Sequence, residues 1–395
     1  MSSTASKSSR FVALNELESK LMRFKGGISA CNLFQSEQKE EVVNAIHERF
    51  QEIVRANPWL KGSCAKRKKG VFLDFDPEQT NAGPLIFSGQ APKSLTQASP
   101  YTDILKACEP YIVEKAFKLY GKKDRLTKLV ILHLDDKRFF LMFSLSHLIA
   151  DGYTFYAIFN MLSSDREVYS LGVERRDEVA QIRDIIPKSN SNYLFHPRML
   201  FWAIGRAFSR KKMRIKGFEL NATYVQQQKQ EIKAEGGVAY VSTNDILSAV
   251  YAQLCKTKAL IMAVNFRHRI PEITDKDAGN YEQLLVIDQA YSKSPVSIRK
   301  LVANLTNEVA NIDLPKGAAM SNSNPVLITN WAGFSQPIVL EGAEELVHMP
   351  LYTSREITFD SCIVYAPRAG VVAALLFMKD LPESKVLAHP LFAKA

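Results

Sequence analysis

Two apolar runs separated by a three-residue turn constrain this chain most. Leu129-Val130-Ile131-Leu132-His133-Leu134 is followed by Asp135-Asp136-Lys137 and then by Arg138 to Ser146. Neither run alternates polar with apolar residues. Strands of that kind are buried on both faces, which requires helices above and below the sheet. An all-helical fold and a one-sided antiparallel sheet are thereby set aside. The second run ends in Ser144-Leu145-Ser146-His147-Leu148-Ile149-Ala150-Asp151-Gly152, and the apolar helical stretch Tyr153 to Leu162 begins at once. His-x-x-x-Asp-Gly thus sits where a buried strand turns into a helix, a position that projects side chains into a cleft.

The chain has 395 residues, 46% hydrophobic and 23% charged. That suits two core-forming halves. Val42, Val43, Ile46, Phe50, Ile53 and Val54 recur at helical spacing until Asn57-Pro58. Gly70 to Phe75 reads as a strand, and Ile104 to Tyr120 as a helix that Pro110 breaks or kinks. Residues 167–235 are polar at both ends and form a crossover. The second half restarts at Gly236-Gly237 with a short strand, Val238 to Val241, and a helix opened by the Ser242/Asp245 capping pair. Strands follow at Leu260–Asn265, Leu284–Ile287 and Val326–Trp331, with a helix at Val296–Val309. A last hairpin runs from Thr358 to Tyr365 and from Val371 to Met378. The expected organisation is a disordered lead-in over 1–10, a first domain over 11–166, the crossover over 167–235 and a second domain over 236–395.

Charge and cysteine content narrow the partners. The formal net charge is +10, which favours anionic partners. Basic clusters lie at Lys66-Arg67-Lys68-Lys69, Lys122-Lys123-Asp124-Arg125 and Arg210-Lys211-Lys212. No aromatic residues are woven into them, so nucleic acid is not expected. Five cysteines without a Cys-x-x-Cys pair suit free thiols in a reducing, cytoplasmic setting. No apolar run is long enough to span a bilayer. Tyr193 to Arg214 is aromatic-rich and then basic; it reads either as a peripheral membrane contact or as a helix packed on the body. The seven histidines lack paired metal spacing, so no metal is expected. Phosphate loops, dinucleotide fingerprints and nucleophile elbows are absent.

The chemistry rests on one motif. His147 would be a general base, since an imidazole titrates near neutrality, with its tautomer fixed through the other ring nitrogen, often by its own carbonyl. Asp151 reads either as a helix N-cap or as the partner of an arginine that holds the His147 loop. Gly152 allows close approach of a ligand or an unusual backbone angle.

These residues resemble the CoA-dependent acyltransferase superfamily, which includes BAHD acyltransferases, wax ester synthases, chloramphenicol acetyltransferase and peptide condensation domains. Asn57-Pro58-Trp59-Leu60-Lys61-Gly62 is similar to its N-terminal segment, and Ser146 to Gly152 to its active-site motif. Ser242 to Ala249 resembles the second-half helix opening. Val264-Asn265-Phe266-Arg267 with Ala278-Gly279-Asn280-Tyr281, and Thr329-Asn330-Trp331, resemble later strand and loop segments. Two departures stand out: Ser146 replaces the first histidine of the double-His version, and no Asp-Phe-Gly-Trp-Gly box follows Trp331.

The resemblance implies an α/β fold of two chloramphenicol-acetyltransferase-like domains, mixed sheets flanked by helices, forming a pseudo-dimer around a tunnel. It implies an acyltransferase that takes an acyl group from acyl-CoA, a co-substrate rather than a bound cofactor, to a small hydroxyl- or amine-bearing acceptor. His147 would be the base, Arg267 the ion-pair partner of Asp151, and Asn330 and Trp331 cleft residues near the oxyanion. A carrier-protein thioester donor, or a silent membrane-surface relative, are the alternatives. In trimeric relatives the motif lies near the C-terminus and works across subunits. Here residues 153–395 follow it, so one chain supplies both walls and a monomer is expected.

Overall fold

The computed structural model describes every residue except 1–8, 21, 23–24, 69, 80, 121, 123–124, 177–180, 183–184, 187, 306–311, 354–356 and 394–395. Most of the lead-in and the end of the Val296–Val309 helix therefore lie outside the described residues. In chain order the first-half strands are β1 (Arg10–Ala13), β2 (Gly27–Gln35), β3 (Ser63–Arg67), β4 (Gly70–Phe75), β5 (Ile86–Gln90), β6 (Thr127–His133) and β7 (Arg138–Ser146). Those after the motif are β8 (Arg214–Glu219), β9 (Ala259–Asn265), β10 (Glu282–Asp288), β11 (Val326–Asn330), β12 (Glu344–Pro350), β13 (Ser361–Arg368) and β14 (Val371–Met378).

The apolar hairpin forms as its sequence requires. β6 and β7 pair antiparallel from Thr127–Leu145 to His133–Phe139. Asp135 closes the turn by accepting the N–H groups of Lys137 and Arg138 at 3.0 and 2.8 Å. Its carboxylate also takes the Arg138 guanidinium at 2.7 Å. β7 is buried at every residue but the first: two helices cover its Phe143 face, and on the other face Cys31 of β2 meets Cys108 of the helix Tyr101–Cys108. The helix Lys39–Ala56 buries Val42, Val43, Ile46, Phe50, Ile53 and Val54. The helix Gly152–Asn160 contributes Phe155 and Phe159, which meet Phe143 at 5.3 and 5.9 Å between ring centroids. Each such side chain contributes about 1.5–3 kcal/mol by leaving water.

The first sheet has the order β12-β2-β7-β6-β5 and the second β10-β9-β11-β13-β14-β8; β1, β4 and β3 form a small third sheet. Two strands cross the expected division of the chain. β12 follows the second-half strand β11 yet pairs with β2, from Glu344–Gln35 to Pro350–Ala30. β8, from the crossover, pairs with β14 at the far edge of the second sheet. The resulting two-lobed mixed α/β layout agrees with the expected fold class.

Two local expectations are corrected. Val238–Val241 forms no strand: Gly236 and Gly237 take φ of 77° and 89°, and the chain turns straight into the next helix without a partner. The helix expected over Ile104–Tyr120 spans Tyr101–Cys108 and gives way to a 3₁₀ turn at Glu109–Tyr111, because Pro110 has no N–H to continue the ladder. The segment Tyr193–Arg214 contains the helix Pro197–Phe208 and then leads into β8. The Ser242/Asp245 capping box is complete. Asp245 accepts the Ser242 N–H at 2.7 Å, and Ser242 Oγ accepts the Asp245 N–H at 3.1 Å. All five cysteines are buried and free.

Candidate active site

His147 lies one residue beyond β7, at the junction of the first sheet with the loop that precedes β10. Its Nδ1 is 3.0 Å from Asn280 Oδ1. The orientation of that amide follows from its other contacts. Asn280 Nδ2 donates to the His147 carbonyl at 3.0 Å and to Glu18 Oε1 at 3.1 Å, which uses both hydrogens. Oδ1 is therefore the face shown to the ring, so Nδ1 carries the proton and Nε2 the lone pair. Burial, then the positive charge of Lys25, lowers the His147 pKa below its ordinary 6.5. The imidazole is neutral at pH 7, as a base must be. Its side chain keeps 11% of its surface exposed, so the ring is not sealed off.

Glu18 holds this arrangement from the first ordered helix, Glu16–Lys20. It is fully buried and accepts the Asn280 N–H at 3.1 Å and the Arg175 guanidinium at 2.8 Å. Arg175 in turn donates to the carbonyls of Ala278 and Ile149 at 2.9 and 3.1 Å. A charge this deep needs such saturation, since an unpaired one costs several kcal/mol. Gly279 is required at this point. Its φ is +147°, and a Cβ there would lie 3.1 Å from the Arg175 guanidinium.

Asp151 performs both roles left open by its sequence position. Oδ1 caps the helix Gly152–Asn160 by accepting the Thr154 N–H at 2.8 Å. Oδ2 accepts Arg267 Nη1 at 2.6 Å and the Tyr281 N–H at 3.0 Å. Burial pushes this carboxyl up, but the Arg267 charge and these hydrogen bonds outweigh it, and the group is held below the usual carboxylate range. Arg267 also donates to Thr154 Oγ1 and the Asp277 carbonyl, both at 2.9 Å, and lies over the Tyr153 and Tyr281 rings. The pair fastens the His147 turn to the loop that carries Asn280.

Gly152 is approached by protein. A Cβ there would stand 3.0 Å from Trp331 Nε1, and its backbone φ is not positive. Trp331 is buried between Tyr156 and Tyr352 at 5.9 and 5.7 Å. Asn330 turns its amide oxygen to the Ala332 N–H at 3.0 Å, a local contact, and among the described residues no hydrogen bond joins it to His147. His147, Asp151, Gly152, Arg267 and Trp331 are thus gathered around one turn, and Asn330 stands apart.

Four residues here were not singled out from the sequence as site residues. Asn280 was quoted only as part of a motif. Glu18 and Arg175 carry no local signal, since their partners lie far along the chain. Glu282, at the start of β10, places Oε1 3.6 Å from His147 Nε2. Burial, then Asp151, pushes its carboxyl up to about 8 against the opposing pull of Arg267 and Lys25.

Two lobes of mixed sheet, joined by a strand exchange, meet at the buried His-x-x-x-Asp-Gly turn, and solved structures share this architecture along nearly the whole chain. No protein-family model and no curated sequence matches the chain, so the likeness is one of structure. TRI101 of F. sporotrichioides, solved with coenzyme A and T-2, superposes with a TM-score of 0.68 at 13% identity, over 95% of this chain and 97% of that one. Polyketide synthase associated protein 5 of Mycobacterium tuberculosis gives 0.63 at 13% identity, over 95% of each chain. The TRI3 trichothecene 15-O-acetyltransferase of Fusarium sporotrichioides gives 0.62 at 11% identity, over 98% of this chain and 95% of that one.

Proposed function

We propose that this chain is an acyltransferase that moves an acyl group from acyl-CoA to an alcohol or amine, with His147 Nε2 as the general base. One observation carries the reading: a neutral imidazole whose Nδ1 is engaged by Asn280 while Nε2 keeps its lone pair. The acceptor gives its proton to Nε2 as it attacks the thioester carbonyl. Collapse of the tetrahedral intermediate breaks the C–S bond, and the imidazolium returns the proton to the departing thiolate. Asp151 and Arg267 hold the turn, and Trp331 shapes its wall. TRI101, of like fold, was solved with coenzyme A, which supports the choice of donor. One chain provides both lobes, so the working unit is a monomer. Release of CoA from acetyl-CoA in the presence of small alcohols and amines tests the reading. Undiminished transfer by a folded His147→Ala variant overturns it.

A second reading concerns where the protein works. Among the described residues no helix is long and apolar enough to cross a membrane. The helix Pro197–Phe208 nonetheless has two apolar faces. Met199 and Trp202 pack on the body, the latter on Phe359 at 5.4 Å. Leu200, Phe201, Ile204 and Phe208 point outward, and Phe208 is 85% exposed. No Asp or Glu occurs between Ile185 and Phe218, a stretch that includes Arg198, Arg210 and Lys212. An aromatic stripe with a basic rim suits an anionic lipid surface, peripheral and reversible. Co-sedimentation with phosphatidylserine-containing vesicles, lost in a Phe201→Glu/Phe208→Glu double variant, is the expected result. Equal retention of both proteins, or none of either, overturns it.

A further inference from the structure

Glu282 is the group that faces the reacting nitrogen, and it has not been given a task. Its Oε1 lies 3.6 Å from His147 Nε2, too far for a direct hydrogen bond. Among the described residues no hydrogen bond is made to its carboxyl, and its side chain keeps 20% of its surface exposed next to the exposed part of His147. The neighbouring charges are already committed: Asp151 is bound to Arg267, and Lys25 faces both His147 and Glu282. Once the carboxyl is ionised, two hydrogen-bond acceptors stand side by side, the Nε2 lone pair and a carboxylate oxygen. Their spacing leaves room for one atom at about 2.8–3.0 Å from each.

The number of hydrogens on that atom distinguishes the acceptor classes. A hydroxyl has one. If it is given to Nε2, the carboxyl is left without a partner; if the carboxyl is protonated and donates to the hydroxyl oxygen, it draws on the electrons that must attack. A primary amine has two, one for each acceptor. Attack on the thioester also places positive charge on the nitrogen, next to the carboxylate. We propose that Glu282 selects a primary amine as acceptor, so that the reaction is N-acylation. This rests on the acyltransferase reading and sharpens it.

The step balances. The amine nitrogen bonds to the thioester carbon, the C–S bond breaks, and one N–H proton passes to His147 Nε2 and on to the thiolate sulfur. The second N–H stays on the amide nitrogen and is held by Glu282 throughout. The largely buried carboxyl is costly to ionise alone; an amine that binds first as its ammonium supplies the positive partner that ionises it, and it gives one proton to solvent before attack, leaving its two N–H groups. TRI3, a 15-O-acetyltransferase, has a like fold, so a preference for amines here would have to be set by individual residues such as Glu282 and not by the architecture.

The full chain is assayed with acetyl-CoA and a matched pair of probes, 2-phenylethylamine and 2-phenylethanol. The wild type is expected to favour the amine. In Glu282→Gln the amine-to-alcohol ratio of kcat/KM falls about 10- to 100-fold, the weight of one hydrogen bond to a charged group, while KM for acetyl-CoA holds. A wild-type preference for the alcohol, or an unmoved ratio in a folded Glu282→Gln, overturns the proposal. A second measurement does not depend on turnover. By difference infrared spectroscopy, 2-phenylethylamine should convert the Glu282 carboxylic acid band to carboxylate. The change should be absent with 2-phenylethanol and absent in Glu282→Gln. No band change with the amine also overturns it. Transfer that survives His147→Ala would instead sink the broader reading, so the two failures are distinguishable.

Discussion

His147 and His348 are both buried imidazoles whose Nδ1 faces an asparagine amide oxygen, Asn280 at 3.0 Å for the first and Asn32 at 2.7 Å for the second. In each case the amide's hydrogens are directed elsewhere, for Asn32 to Glu345 Oε1 at 3.0 Å. Both rings therefore carry the proton on Nδ1, and burial lowers both pKa values. They part at Nε2. His348 Nε2 receives the Tyr156 hydroxyl at 3.0 Å, whereas among the described residues His147 Nε2 has only Glu282, at 3.6 Å. One ring is satisfied on both sides and serves to lock β12 onto β2, where His348 and Asn32 are register partners. The other is satisfied on one side and keeps a usable lone pair. Burial, a backing amide and a depressed pKa are common to both rings, so none of them singles out His147; what supports the proposed base is its uncapped nitrogen.

The largest expected difference between the two rings is in turnover. His147→Ala should lower CoA release by about 10²- to 10⁴-fold with an unchanged unfolding transition. If His348→Ala in folded protein loses as much, the contrast fails. Next is the backing amide. Asn280→Ala frees the His147 ring, and a displacement of about 1 Å at a reacting group can cost ~10²-fold in kcat. Intact kcat in that variant would show that the tautomer is held by some other contact.

The converse effect is on stability. His348→Ala should cost about 2–4 kcal/mol in urea unfolding, because it opens a cavity and strands the Tyr156 hydroxyl. The same ring gives a signed pH dependence. Burial pushes the His348 pKa down to about 3 from 6.5. The unfolded chain takes up a proton below pH ~6.5 that the folded chain refuses, so this contribution is whole above that pH. It erodes as pH falls towards 3, by at most ~1.4 kcal/mol per pH unit. A His348→Gln variant should show a flatter acid limb. An equally steep limb would assign the titration to another group.

The smallest effect lies between the two histidines. Gly152→Ala sets a methyl 3.0 Å from Trp331 Nε1, and the indole is wedged between Tyr156 and Tyr352. A loss of about 1–2 kcal/mol in stability is expected from this overpacking. A neutral outcome would mean that the Trp331 side of the wall is pliant.

Much of what depends on near neighbours was legible in the sequence. The β6–β7 hairpin, the Ser242/Asp245 box and the His147-to-Gly152 turn each lie within one short stretch, where periodicity and capping chemistry suffice. The Asp151–Arg267 pair was reached through resemblance, not spacing. The supports of the site were not legible. Glu18 meets Arg175 across 157 positions and Asn280 across 262, and a single carboxylate in a polar helix gives no hint of that. β12 was missed because Glu344-Glu345-Leu346-Val347-His348-Met349-Pro350 has neither the alternation of a one-sided strand nor the continuity of a buried one. β2 was missed for a related reason: Ser29, Asn32 and Gly27 interrupt its apolar run, although eight of its nine residues are buried.

The pairing of β12 with β2 has a consequence for how such a protein comes into being. The ladder joins Ala30–Gln35 to a segment more than three hundred positions later. Until that segment has left the ribosome, Gly27–Gln35 has an open edge and Asn32 lacks the histidine it will support. The half that bears the His147 turn is synthesised first but must wait for β12 to close its sheet, so a chain cut short after β11 is expected to be less stable in its earlier lobe as well as its later one.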